Sequence, residues 1–138
     1  MSQHGTILLV EADPDLRAEL ETALHHAGYD VVATGDGIRA VELACQHPPA
    51  AALVDLLLPG QSGFQVTIAL KAQFGDAVRV AAMSEHTSPA LRDYAAAAGA
   101  ERFLHKPFAP TAARDTVAAL CPPTDAPAPR RPRAKIGT

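Results

Sequence analysis

The sequence predicts an α/β fold in which a parallel β-sheet carries helices on both of its faces. Stretches short enough for strands alternate with helical patterns five times along the 138 residues. Two of these stretches, residues 6–10 and 51–54, are almost wholly apolar, which is typical of strands buried on both faces. Each is followed by a carboxylate, Glu11 or Asp55, at the end where open α/β sheets place their ligands.

The composition indicates one domain with a core of small and aliphatic side chains. Apolar residues make up 48% of the chain and aromatic residues only 4%, and the length suffices to bury a core. Cys45 and Cys121 form neither a metal-binding spacing nor a disulfide framework. No apolar segment approaches the ~18 residues of a membrane span, and the N-terminus has no signal-peptide pattern. We therefore expect a cytoplasmic protein that does not associate with membranes.

The first half of the chain contains clear helix boundaries. Asp13 and Pro14 suit the N-cap and the first position of a helix, and Gly28 suits the C′ position that ends it. The elements that follow are a strand over residues 29–34, a turn over 35–37, a helix over 38–44 and a strand over 51–55.

The second half continues the alternation. Its predicted elements are helices over residues 63–74, 88–98 and 111–120 and strands over residues 78–83 and 101–105. The helix over residues 63–74 is predicted from apolar side chains that recur at helical spacing: Phe64, Ile68, Ala69 and Ala72.

Chemically useful side chains follow four of the five strands: Glu11, Asp55, Ser84 and Lys106. The carboxyl ends of parallel strands lie on one edge of the sheet, so we expect these residues to meet although the sequence separates them. A carboxylate can accept a phosphoryl group covalently, and the oxygens of that group favour a Lys charge, a hydroxyl donor and a divalent cation. The set therefore indicates phosphoryl chemistry.

The order and spacing of four motifs resemble the receiver domain of bacterial response regulators over residues 5–120. The motifs are Val10-Glu11-Ala12-Asp13-Pro14, Val54-Asp55-Leu56-Leu57-Leu58-Pro59-Gly60, Met83-Ser84 and Lys106-Pro107-Phe108. The resemblance implies a flavodoxin-like, doubly wound (βα)5 fold with strand order 2-1-3-4-5. It also implies Mg²⁺ and a sensor histidine kinase or phosphotransfer protein as partner, for a signalling module that is not an enzyme.

The resemblance assigns a role to individual residues. Asp55 corresponds to the phosphoryl acceptor, Lys106 to the phosphate-binding lysine, Ser84 to the switch hydroxyl and Phe103 to the switch aromatic residue. Mg²⁺ ligation would fall to Glu11, Asp55 and the backbone carbonyl of Leu57.

Ala12 departs from the pattern of the family. Receivers carry two adjacent acids after the first strand, and the second of them is a direct Mg²⁺ ligand, whereas alanine has no side-chain oxygen. A hard cation that needs about six oxygen ligands is therefore held less well. Two outcomes stay open: Asp55 is phosphorylated with weakened Mg²⁺ binding, or the chain is a pseudo-receiver, a binding adaptor that acts without phosphorylation.

Leu57 and His86 occupy the positions from which side chains of the family admit or exclude the water that hydrolyses the acyl phosphate. An apolar Leu57 is expected to hinder that water. His86 changes its charge near neutral pH, so its effect stays open, as does the alternative that it is an ordinary surface histidine.

No DNA-binding, catalytic or transmembrane pattern follows residue 121, so we expect output through protein–protein contacts of the domain itself. The resemblance places the output surface on the fourth helix, fifth strand and fifth helix, with exposed contacts expected at Arg92, Tyr94, Arg102 and Phe108. A third hypothesis, a small nucleotide-binding or flavin-binding α/β enzyme, is disfavoured because no glycine-rich phosphate loop follows the first strand.

The C-terminal residues 122–138 differ in composition from residues 1–121, which we take as the receiver domain. They hold five of the 12 prolines and four basic side chains against one acidic one. This composition predicts a disordered Pro/Arg-rich tail. Its basic cluster suits contact with nucleic acid or an acidic partner, although a solvated linker is the alternative.

Overall fold

The computed structural model describes residues 4–86 and 88–122. Strands and helices alternate in the order β1 (Thr6–Val10), α1 (Pro14–His26), β2 (Asp30–Thr34), α2 (Gly37–Gln46), β3 (Ala51–Asp55), α3 (Gly63–Phe74), β4 (Arg79–Ser84), α4 (Pro89–Ala98), β5 (Arg102–His105) and α5 (Pro110–Leu120). A short 3-10 turn, Gly75–Ala77, joins α3 to β4.

The five strands form one parallel sheet in the order β2-β1-β3-β4-β5, as predicted. The register pairs Val10 with Val54, Asp55 with Met83 and Ser84 with His105. The carboxyl ends of β1, β3, β4 and β5 therefore lie side by side. This edge is where the sequence analysis places the functional residues.

Each face of the sheet buries a separate apolar layer. On one face, sheet residues such as Leu9 and Leu53 pack against Leu20 and Leu24 of α1 and Val117 of α5. On the other, sheet residues including Leu8 and Val54 pack against α2 and α3, and a smaller cluster lies next to α4. The strands β1 and β3 have apolar side chains on both faces because both faces are covered.

The local signals at α1 act as predicted. The Asp13 side chain accepts a hydrogen bond from the Asp15 amide at 2.9 Å and caps the helix. Gly28 follows the C-cap residue Ala27 with a φ of 100°, a conformation that an L side chain rarely adopts.

The helix α3 has the predicted bounds, but the spacing of its apolar residues does not identify its buried side. Its buried apolar side chains are Val66 and Leu70, whereas Ile68 is 54% exposed and Phe64 is half-buried. The helix carries apolar residues around much of its circumference, so spacing alone does not decide which side faces the sheet.

The ends of several elements also differ from the predictions by one residue or a few. The strand β2 begins at Asp30 and β5 at Arg102, one residue later than expected, and Ser84 is the last residue of β4. The largest difference is at α2, which extends to Gln46.

Of the predicted disordered tail, residues 123–138 lie outside the described residues, so that expectation stays a prediction. Among residues 4–86 and 88–122, no helix has the length and apolar character needed to cross a membrane.

Candidate functional site

The carboxylate of Asp55 lies at the carboxyl end of β3 and is held by two backbone donors. The Leu57 amide donates to Oδ1 at 3.2 Å, and the Ala12 amide approaches Oδ2 at 3.4 Å. Asp55 is only 5% exposed. The segments that follow β1 and β3 therefore orient the carboxylate through their backbone amides.

Lys106 joins the acid that follows β1 to the acid at the end of β3. Its Nζ lies 2.7 Å from Glu11 Oε1 and 3.3 Å from Asp55 Oδ2. The lysine backbone is anchored as well, because its amide donates to the Ser84 carbonyl at 2.8 Å. The structure therefore brings together three of the four residues predicted at this edge in direct contact.

Glu11 is the most deeply buried member of the group, with no exposed surface. Its Oε2 accepts a hydrogen bond from the Asp13 amide at 3.0 Å, while its Oε1 has the Lys106 ammonium as its charged neighbour. Burial raises the pKa of the Glu11 carboxyl, and the nearby Asp55 charge adds to this effect. Burial alone would lower the pKa of Lys106, but the Glu11 and Asp55 carboxylates outweigh it and the pKa is raised.

Ser84 and Phe103 lie one and two strands away from Asp55. The Ser84 hydroxyl is buried at the end of β4 and accepts a hydrogen bond from the His86 amide at 3.0 Å. Phe103, in β5, is half-buried and packs against the cluster next to α4. Ser84 thus lies at the same edge of the sheet as Asp55, and its hydroxyl contacts the backbone of its own loop.

The donors for a divalent cation are few. Ala12 has no side-chain oxygen, and Asp13, the next acid, is occupied as the cap of α1. No group of three or more His, Cys, Asp or Glu side chains suited to a metal ion occurs within the described part of the chain. Yet Glu11 Oε1 is buried and accepts no well-aligned hydrogen bond, which suits a cationic neighbour. A Mg²⁺ ion at this edge would find nearby carboxylate oxygens on Asp55 and Glu11, fewer than the about six ligands that it prefers, and would therefore be held weakly.

Three features of the site were not predicted from the sequence. Two are the backbone donors, Ala12 and Leu57, which no side-chain pattern reveals. The third is Gly63, the first residue of α3: a Cβ there would lie 2.1 Å from the Asp55 carbonyl oxygen. A glycine at the first position of the predicted helix was the available signal for close backbone approach.

The side chains around the site vary in accessibility. Leu57 is 61% exposed and His86 is exposed, so both are accessible beside the acceptor edge. A cleft of about 900 Å³ opens next to Lys106 and is bounded on one side by acids of α1.

Three of the four predicted contact residues are exposed: Arg92 and Tyr94 on α4 and Arg102 on β5. Phe108 is only partly exposed, because it packs against the core beneath α1 and α5, and it also lines the cleft next to Lys106.

The fold and this edge define a class of protein: a parallel, doubly wound α/β domain in which a buried acid and a lysine surround an aspartate at the end of the central strand. The family model described as the response regulator receiver domain matches residues 7–118. The chain belongs to the response-regulator receiver domains of two-component signalling, a family in which phosphorylation occurs on an aspartate, Mg²⁺ generally assists, and the domains generally act as signalling modules.

Similar proteins agree with this assignment. The transcriptional regulatory protein PrrA of Mycobacterium bovis is 35% identical over 102 residues, which are 74% of this chain and 43% of that protein. The DNA-binding response regulator MtrA of Mycolicibacterium smegmatis is 33% identical over 104 residues, 75% and 45% of the two chains. The chain thus spans less than half the length of these relatives.

A solved structure supports the fold. The chemotaxis protein CheY4 of Vibrio cholerae superposes with a TM-score of 0.80 at 25% identity, covering 85% of this chain and 98% of that one.

Proposed function

We propose that Asp55 accepts a phosphoryl group from the phosphohistidine of a sensor histidine kinase or phosphotransfer protein. The observation that carries the proposal is the Lys106 ammonium, which lies within 3.3 Å of the Asp55 carboxylate and 2.7 Å of Glu11. In the transfer, an Asp55 oxygen forms a P–O bond as the P–N bond of the donor breaks. The imidazole nitrogen keeps the electron pair, and because the other ring nitrogen of the phosphohistidine carries a proton, the ring leaves as neutral imidazole.

Each neighbouring group supports one part of this reaction. The Leu57 and Ala12 amides orient the acceptor carboxylate, and Lys106 compensates the negative charge that accumulates on the phosphoryl oxygens. The Ser84 hydroxyl, at the end of the neighbouring strand, accepts from the His86 amide and so keeps its own proton available for donation. When bound, Mg²⁺ neutralises further charge on the transferred group.

The pseudo-receiver alternative gains no support from the similar proteins, and the pocket retains its acceptor, lysine and first acid. Ala12 therefore affects how well the cation is held rather than whether an acceptor is present. We propose that phosphorylation proceeds but needs a higher concentration of Mg²⁺ than a site with two adjacent acids.

The test is phosphorylation by acetyl phosphate and Mg²⁺, followed by intact mass spectrometry. We expect one added phosphoryl group in the unmodified chain and in the control Asp93→Asn, which changes an exposed aspartate of α4. We expect none in Asp55→Asn. An equal mass gain in Asp55→Asn, or no gain in the unmodified chain at saturating Mg²⁺, contradicts the proposal.

We further propose that the module comprises residues 1–121 and transmits its state to a protein target through α4, β5 and α5. The exposed side chains of Arg92, Tyr94 and Arg102 support this surface, and we assign residues 122–138 to a Pro/Arg-rich tail outside the module. The charge reversals Arg92→Glu and Arg102→Glu are expected to weaken target binding, and unchanged affinity in both would exclude this surface.

A further inference from the structure

A cation–π contact connects α4 to β5. The guanidinium carbon of Arg92 lies 4.7 Å from the centre of the Phe103 ring, above its face. Arg92 is exposed and Phe103 is half-buried, so the contact lies at the protein surface. An arginine in this geometry favours the covered orientation of an aromatic ring by a factor of about two to five at an exposed site.

The Phe103 side chain also has apolar neighbours. It packs against a cluster whose buried members are Leu56, Ala82 and Ala95. The ring therefore has both a charged neighbour on α4 and an apolar cluster in contact with it. Because packed side chains have few alternative arrangements, a change in the position of Arg92 or of the apolar cluster requires the ring to move as well.

This cluster is connected to the acceptor by one covalent step. Leu56 follows Asp55 directly, is 2% exposed, and donates its amide to the Met83 carbonyl of β4 at 2.9 Å. A shift of the segment after Asp55 would thus reach Phe103 through the side chain of Leu56. The Arg92 contact restrains the same ring from the solvent side.

We propose that Arg92 is a positioning residue for Phe103, holding the ring in its half-buried orientation in the unphosphorylated protein. The guanidinium thereby sets how readily the surface formed by α4 and β5 changes shape. The inference rests on the proposed function in one respect: it takes the orientation of the ring to depend on whether Asp55 is phosphorylated.

The experiment measures the side-chain rotamer populations of Phe103 by NMR in the full chain, with the phenylalanines labelled with ¹³C. Arg92→Met keeps an unbranched stem but removes the guanidinium, and Arg92→Lys keeps the charge. Arg102→Met is the matched control, since it removes the same charge from the residue adjacent to the ring. Thermal unfolding of each variant establishes that it is folded.

In Arg92→Met we expect the ratio of the half-buried to the other rotamers to fall by about two- to fivefold. Arg92→Lys should retain part of the ratio, and Arg102→Met should leave it unchanged. An unchanged ratio in Arg92→Met, or an equal fall in Arg102→Met, overturns the proposal.

The same samples then receive acetyl phosphate and Mg²⁺, and their masses are measured. A missing mass gain counts against Asp55 as the acceptor. The role of Arg92 is tested separately by the rotamer populations, because these are measured without phosphorylation. The two proposals are therefore contradicted by different results.

Discussion

Restoring the second acid by Ala12→Asp is expected to tighten Mg²⁺ binding by at least tenfold. The three charged groups in direct contact, Glu11, Asp55 and Lys106, sum to one negative charge when all are ionised. An aspartate at position 12 adds a second negative charge and a ligand oxygen at the end of β1. The position is suited to this, because the Ala12 amide already approaches Asp55 Oδ2 at 3.4 Å.

A lower limit for this gain in binding free energy follows from Coulomb's law with the dielectric constant of water. A double and a single charge about 4 Å apart attract by about 2 kcal/mol even at the dielectric constant of water. Ordering the new side chain costs about 0.5 kcal/mol or more of this gain. About 1.4 kcal/mol remains, which corresponds to tenfold in affinity, and the lower dielectric constant of a buried site increases it.

The chain has no tryptophan, so binding is best followed by the amide shifts of Leu57 and Ala12 during a Mg²⁺ titration. Ala18→Asp is the matched control, since it makes the same substitution at an exposed position of α1 and should leave the Kd within about twofold of the unmodified value, a small difference for a distant surface charge. A Kd for Ala12→Asp that also stays within twofold, in a folded protein, would refute the assignment of position 12 as the missing ligand.

Three further substitutions test the framework that supports the site. Gly63→Ala should destabilise the fold by about 3 kcal/mol in chemical denaturation, the upper range for overpacking, because its Cβ would meet the Asp55 carbonyl at 2.1 Å; a loss below ~0.5 kcal/mol would contradict this. Burial acts against the lowered pKa of Glu101, but hydrogen bonds from Lys71 and a backbone amide prevail. The stabilisation from this acid is therefore present above its unfolded pKa near 4.5 and is lost as the pH falls through the lower folded value. Glu101→Gln should cost about 1 kcal/mol at pH 7 and flatten the acid side of the stability curve, and an unaltered pH dependence would count against it. Tyr29→Phe should cost about 1 kcal/mol by thermal unfolding, since the buried hydroxyl donates to a backbone carbonyl at 3.1 Å, and an unchanged Tm would exclude that role.

The strands and the residues at their ends could be predicted from the sequence because each local pattern there indicates a single type of structure. The runs before Glu11 and Asp55 are almost wholly apolar, which is the pattern of a strand covered on both faces. Asp13-Pro14 and Gly28 mark a helix by backbone chemistry that tertiary contacts do not alter.

The face of α3 could not be predicted, because several rotations of a largely apolar helix satisfy the same spacing. Only the packing of Val66 and Leu70 against the sheet selects one of them and leaves Ile68 exposed. The half-buried position of Phe108 depends in the same way on the path of the chain after β5, which no local pattern specifies.

The contacts of the acceptor show a further limit. Residue types suggested that Lys106 and two acids would meet, but the donors that orient Asp55 are main-chain amides, which every non-proline residue possesses. A sequence pattern therefore predicts the participants better than the hydrogen bonds between them.

Because the amides of Ala12 and Leu57 orient the Asp55 carboxylate, its orientation and the charge around it are set by different groups. Since the Ala12 amide serves whatever side chain residue 12 carries, other than proline, that side chain can be exchanged without turning the carboxylate of Asp55. The concentration of Mg²⁺ that the site needs can therefore change with one substitution at residue 12, while the Asp55 carboxylate stays in place for an incoming phosphoryl donor. Chains of this design can tune their dependence on a metal without rebuilding the pocket.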